Sequence, residues 1–193
     1  MADVLKMDPA RIGRLRDPAR LEQVDPIAIL DTVSPAGDGA IVDVGAGVGY
    51  VSLPFARRLP GSRVVACDVL EGMLQLLAED AAEQGLSNLD TALMPGPTTL
   101  PLDDASASML VMLQVHHELD DARGLLADCR RVLATGAPVV IVDWKDEDLP
   151  GIPAGGRRVP LATIVEDLKA SGFSAVQVHD VFPIHAMAVG VAP

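Results

Sequence analysis

The chain has 193 residues, 49% of them hydrophobic and 22% charged, a balance that specifies one globular domain with its own core and excludes a disordered chain. Its net charge of −12 is spread evenly with no basic tract, which argues against a nucleic-acid partner. No apolar leader opens the chain and no run reaches membrane-spanning length, so no membrane partner is expected. Cys67 and Cys129 each lie in an apolar stretch, as two buried thiols without a metal cluster, which fits a reducing, cytoplasmic location.

Three Asp-Pro steps punctuate the first 35 residues: Asp8-Pro9, Asp17-Pro18 and Asp25-Pro26. Asp is a good N-cap and Pro suits the first helical position, so each step reads as a helix start. Two short helices are expected, then a third over 26–33. Residues 1–34 form an N-terminal helical segment, a candidate lid, and 35–193 form the main domain.

The remainder alternates. Strands are expected at 40–44, 63–67, 89–94, 108–115 and 138–143, with helices at 50–59, 70–84, 120–133 and 161–171. The run 108–115 is almost wholly apolar, as befits a central parallel strand buried on both faces. A polar loop rich in Gly and Pro spans 145–160. The last two strands, 174–180 and 184–191, are joined by three residues, too few for a helical crossover, so they pair antiparallel. The order predicts an α/β fold: a doubly wound seven-stranded sheet, mostly parallel, with an antiparallel last strand and N-terminal helices.

Residues 41–50 carry the most chemistry. A buried strand ends in Asp43, and Gly45, Gly47 and Gly49 follow at alternate positions. Such a turn lets backbone approach a ligand at the carboxyl end of a strand. A dinucleotide site wants G-x-G-x-x-G; here the third glycine comes one residue early and Tyr50 takes its place. That disfavours a nicotinamide-dependent oxidoreductase. Asp68 ends the second strand 19 residues after Gly49, where a carboxylate can accept both hydroxyls of a ribose. Asp68 also suits the N-cap of the next helix.

The D-x-G-x-G-x-G pattern resembles the first motif of the class I S-adenosylmethionine (SAM) methyltransferases. Several later segments extend the likeness: Asp68 with Met73-Leu74, Leu100-Pro101-Leu102-Asp103, His117-Glu118-Leu119, Arg130-Arg131-Val132-Leu133 with Gly136, and Asp143 after the fifth strand. In order and spacing they resemble the small "type 11" relatives of the ubiquinone/menaquinone-biosynthesis type, over roughly residues 26–191. The resemblance implies a Rossmann-like methyltransferase fold with SAM as cofactor and S-adenosylhomocysteine as product. It implies a small-molecule acceptor and, by analogy, a homodimer.

The resemblance also implies the site. Cofactor contacts fall on Asp43, Gly45, Ala46, Gly47, Gly49, Tyr50, Asp68, Val69, Met73, Gly96, Pro97 and Gln114. Asp43 is expected to order the glycine turn through backbone N–H groups, and the Gln114 carbonyl to face the cofactor's ammonium. His116, His117 and Asp143 are the catalytic candidates, with local capping or packing as the alternative for the histidines. Trp144, Arg157 and Arg158 are candidates for the acceptor side, the arginines for an anionic acceptor or else as solvated loop charges. The sequence departs from the family at Gly96, where an acid usually holds the adenine, and at Ser108, where an Asp usually opens strand four. The double glycine before strand five is reduced to Gly136-Ala137. A SAM-binding but catalytically degenerate interaction protein is therefore the alternative function.

Overall fold

Asp-Pro steps open all three N-terminal elements. In the computed structural model, which describes residues 8–152 and 157–193, α1 spans Pro9–Leu15, a short 3₁₀ helix spans Pro18–Glu22, and α2 spans Pro26–Thr32. The side chains of Asp8, Asp17 and Asp25 accept from the amides of Ala10, Ala19 and Ile27 at 3.2, 2.9 and 2.9 Å. Each satisfies an amide that the first helical turn leaves free. The second element is a 3₁₀ rather than an α-helix. The start of the 1–34 segment and the middle of the 145–160 loop lie outside the described residues.

The core is a seven-stranded sheet of order β3-β2-β1-β4-β5-β7-β6. Its strands are β1 (Ala40–Val44), β2 (Val64–Asp68), β3 (Leu89–Leu93), β4 (Ala107–Leu113), β5 (Pro138–Trp144), β6 (Ser174–His179) and β7 (His185–Val191). Pairing is parallel from β3 through β5. Strand β7, the last in the chain, runs antiparallel between β5 and β6, as expected from its short link to β6.

Helices α3 (Ser52–Arg58), α4 (Glu71–Glu83), α5 (Ala122–Val132) and α6 (Leu161–Ala170) cover the two faces. On one face Leu110, Met112 and Ile141 meet Leu125, Leu126, Ile164 and Leu168. On the other, Met109, Val111 and Val140 meet Ile29, Phe55 and Phe182. Alternate residues of one strand feed opposite layers, which is why β4 reads as an unbroken apolar run. Both cysteines are free and buried, and burial pushes the Cys67 thiol up to about 12.

The chain winds outward from β1 to β3, then returns to β4 and winds the other way. The turns leaving β1 and β4 therefore diverge and open a crevice at their carboxyl ends. Strand β4 stops two residues earlier than expected, because Gln114 adopts a left-handed φ of 57°. A 3₁₀ turn over His116–Glu118 follows. Among the described residues no helix is long and apolar enough to cross a membrane.

Candidate active site

The crevice holds a cleft of about 350 Å³. Its floor is the turn after β1, its walls are the ends of β2 and β4, and Arg11, Leu15 and Arg20 of the N-terminal elements lie against it.

The three glycines divide the work. A Cβ on Gly45 would overlap the Val115 side chain, and one on Gly49 would collide with Leu77 of α4. These two let the turn pack. A Cβ on Gly47 would meet nothing within 4 Å, and its backbone lines the cleft. Gly47 is thus the position where a ligand can approach bare backbone. Gly49, expected at the cofactor, does not line the cleft; its role is packing.

Asp68, not Asp43, holds the turn. Asp68 Oδ2 accepts from Gly47 N at 2.8 Å, and Oδ1 accepts from Leu70 N at 2.9 Å. The capping position anticipated for Asp68 is therefore shared with the glycine turn, and both oxygens keep acceptor capacity toward the cleft. Asp43 turns beneath the loop and accepts from the amide and hydroxyl of Ser52 at the start of α3. Burial pushes its carboxyl up to about 7 despite those two hydrogen bonds. Asp43, expected to order the glycine turn through backbone N–H groups, accepts from one such group, that of Ser52 just after the turn, while the Gly47 amide goes to Asp68.

At the end of β4, Gln114 joins two elements. Its Oε1 accepts from Arg20 at 2.9 Å, and its Nε2 lies 2.8 Å from His185 Nε2. The Arg20 guanidinium also stacks on Tyr50, 3.9 Å from the ring centroid, and Tyr50 donates its hydroxyl to Val24 O at 2.9 Å. His185 is fully buried, and burial lowers its pKa to about 4, so it stands as a neutral acceptor for Gln114.

His117 lines the cleft, and its ring Nδ1 is 2.7 Å from Asp143 Oδ1. The other Asp143 oxygen accepts the His117 amide at 2.9 Å. Burial opposes protonation of the ring, but the hydrogen bond and charge of Asp143 outweigh it, so the His117 pKa is raised. Asp143 itself is buried behind His117 and does not line the cleft. His116, the other catalytic candidate, is turned away. It is buried with Nε2 3.3 Å from Asp167 of α6, and burial lowers its pKa. Consecutive residues of a tight turn point to different sides, so only one of the pair reaches the cleft.

Ala46, Val69, Met73, Pro97 and Trp144 line the cleft, and the Trp144 ring lies 4.3 Å from that of His185. Gly96 does not line it; it faces open space in a bridge with Thr99. Arg157 pairs with Asp120 at 3.6 Å, outside the cleft lining. Arg158 is tied into its own loop by Glu147 O at 2.8 Å and Asp148 at 3.2 Å. Neither arginine lines the cleft, though Arg157 lies near enough to His117 for its charge to act on that ring. Sequence reasoning missed Arg11, Arg20 and His185. The arginines sit in a segment with no motif, and His185 stands in an otherwise apolar strand, the one signal that marked it.

Comparison with known proteins gives a consistent answer. A family model described as a methyltransferase domain matches residues 41–136. The chain is 37% identical over 89 residues to the nocamycin O-methyltransferase of Saccharothrix syringae, covering 45% of this chain and 32% of that protein. It is 28% identical over 124 residues to the ubiquinone/menaquinone biosynthesis C-methyltransferase of Paracoccus denitrificans, covering 64% and 49%. The chain thus spans half or less of the length of these curated relatives. A SAM-dependent methyltransferase from Aquifex aeolicus superposes with a TM-score of 0.88 at 26% identity, covering 97% of this chain and 100% of that one.

Proposed function

We propose, from the premise that this chain belongs to the class I SAM-dependent methyltransferases, that it transfers a methyl group from SAM to a small-molecule acceptor. One observation carries this reading: Gly47 offers bare backbone to the cleft and is held there by Asp68, whose oxygens remain able to accept from hydroxyls. A ligand with an adenosyl ribose fits that pairing. In this reading Asp68 takes the ribose, Gly45–Gly47 and Gln114 face the amino-acid end, and Val69, Met73 and Pro97 flank the base.

Bound there, SAM supplies a methyl group already activated by its sulfonium centre. What remains for the protein is to place an acceptor atom in line and keep water out. His117 serves as the base for an acceptor that must lose a proton. Asp143 accepts a hydrogen bond from Nδ1–H and so leaves Nε2 free to accept a proton. Trp144 and Leu119 flank the acceptor side. Residues Pro9–Val24 act as a lid over the cleft, pinned by Arg11–Glu118 at 3.6 Å and Arg16–Asp80 at 2.6 Å. The acidic surface points away from nucleic acid as acceptor. Two buried thiols suit a reducing cytoplasm.

The degenerate alternative draws on Gly96, which supplies no carboxylate for the adenine. The intact His117–Asp143 pair favours an enzyme. Incubation with SAM carrying a labelled methyl group and a panel of small hydroxyl, amine and carboxyl acceptors separates the two. Label in a product supports the enzyme. Tight binding of S-adenosylhomocysteine without label transfer to any acceptor supports the degenerate reading.

A further inference from the structure

His116 is a buried polar group that the reaction leaves unused. It is 3% exposed, and among the described residues neither of its ring nitrogens has a hydrogen-bond partner. Nε2 lies 3.3 Å from Asp167 Oδ2, close enough for an electrostatic contact but not aligned as a hydrogen bond. Asp167 is itself buried on α6 and accepts from Arg123 Nε of α5 at 2.7 Å. A leucine in that place would carry no polar desolvation cost, so a buried imidazole with an idle Nδ1 needs a reason.

The neighbouring residue supplies one. His116, His117 and Glu118 make a single 3₁₀ turn, closed by Glu118 N to Val115 O at 2.9 Å and Leu119 N to His116 O at 3.3 Å. So short a 3₁₀ turn has poor hydrogen-bond geometry and holds its own side chains weakly. Two carboxylates from different elements grip it instead. Asp143 of β5 accepts the His117 amide at 2.9 Å and meets His117 Nδ1 at 2.7 Å. Asp167 of α6 stands against the His116 ring. One peptide joins the two histidines, so both contacts together set the plane of the turn.

We propose that His116 is a positioning residue: seated against Asp167, it fixes the turn so that His117 keeps Asp143 on Nδ1 and turns Nε2 to the cleft. This rests on His117 serving as the base in the reading above. Buried polar contacts of this kind specify one arrangement while adding little stability.

The effect travels through geometry, not charge. The charges that act on the His117 ring are Asp143 of β5, Glu118 of its own turn and Arg157 of the loop before α6. Burial lowers the His116 pKa despite Asp167 and Asp143, so that ring is neutral near pH 7. An apolar replacement there removes no charge, and a change at His117 reports the shape of the turn.

NMR of the full chain without ligand tests this, because the His117 ring titration and the exchange of its amide need neither cofactor nor acceptor. In His116→Leu the His117 pKa is expected to move down toward 6.5, and its amide to exchange about tenfold faster or more, while the melting temperature holds or rises. His116→Gln, whose side-chain amide still donates toward Asp167, should keep both near wild type. If the leucine variant does not fold, Asp167→Asn reads the same two quantities and is expected to move them the same way. An unchanged His117 ring and amide in the folded variant, or an equal change in His116→Gln, would overturn the proposal and leave His116 a core residue. Failure of the methyltransferase reading shows separately, as a wild-type protein that does not bind S-adenosylhomocysteine.

Discussion

The Asp68 carboxylate accepts the Gly47 amide at 2.8 Å, tying the end of β2 to the turn that leaves β1. One side chain from the second strand thus sets the shape of a loop made by the first. Its second oxygen caps Leu70 and fixes the start of α4. The cleft-facing surface is therefore fixed where hydroxyl acceptors and bare backbone stand side by side.

Glycine substitutions separate packing from binding. Gly49→Ala forces a methyl into Leu77 at a left-handed φ of 85° and should destabilise the fold by about 2–4 kcal/mol. Gly47→Ala has room and carries only the left-handed strain, about 1–2 kcal/mol. Its methyl enters the cleft, so S-adenosylhomocysteine affinity should drop by roughly tenfold or more. Chemical denaturation and calorimetry on both variants check this. Equal affinity loss in the two, scaled to stability, would contradict the assignment of Gly47.

Asp43 makes stability depend on pH in an unusual direction. Its folded pKa is raised from 3.8 to about 7, so the native state holds a proton that the unfolded chain has released. The stability it contributes is fully present below about 3.8 and is lost as pH rises through about 7, by up to about 4 kcal/mol. Urea denaturation from pH 5 to 8 should show a steeper decline in wild type than in Asp43→Asn. Parallel curves would refute it.

His117 at the cleft and the buried His185 are shifted in opposite directions. His185 is held at about 4, so the unfolded chain gains a proton before the native state does, and stability falls as pH drops from 6.5 to about 4. His185→Gln should flatten that limb by up to about 3 kcal/mol. His117 is raised above its ordinary 6.5 through Asp143, once burial has been overcome. Proton NMR should find the His117 ring titrating above 6.5 and moving down in Asp143→Asn. A His117 value insensitive to that change would dissolve the pair.

Arg131 pins the loop before β4. It donates to the carbonyls of Leu100 and Leu102 and to Asp104 and Asp128, while Asp128 accepts the Leu100 amide at 2.6 Å. Arg131→Ala should cost about 1–3 kcal/mol by stranding those acceptors. Hydrogen exchange should quicken at the Leu100 amide ahead of the strand amides. Unchanged stability would contradict the clamp.

The doubly wound sheet was legible because strands buried on both faces read as apolar runs between helices. The three-residue link before the last strand marked its antiparallel sense. The glycine turn was equally plain, since only backbone demands place three glycines so close. What escaped was anything fixed by tertiary geometry. Asp43 and Asp68 are both strand-end acids, and only the register of β1 against β2 decides which reaches Gly47. His116 and His117 are adjacent, and only the left-handed Gln114 decides which one faces the cleft. Arg20 carries no motif at all; it matters because α1 and its following turn fold back over β4.

The most direct test is calorimetric titration of the protein and of Asp68→Ala with SAM and S-adenosylhomocysteine, the melting temperature being recorded for both. The expected result is wild-type binding of both ligands, with dissociation constants on the order of micromolar, weakened by at least about tenfold in a variant that still folds. Failure of the wild type to bind either ligand, or unchanged binding in Asp68→Ala, would contradict the assignment of this cleft to the cofactor.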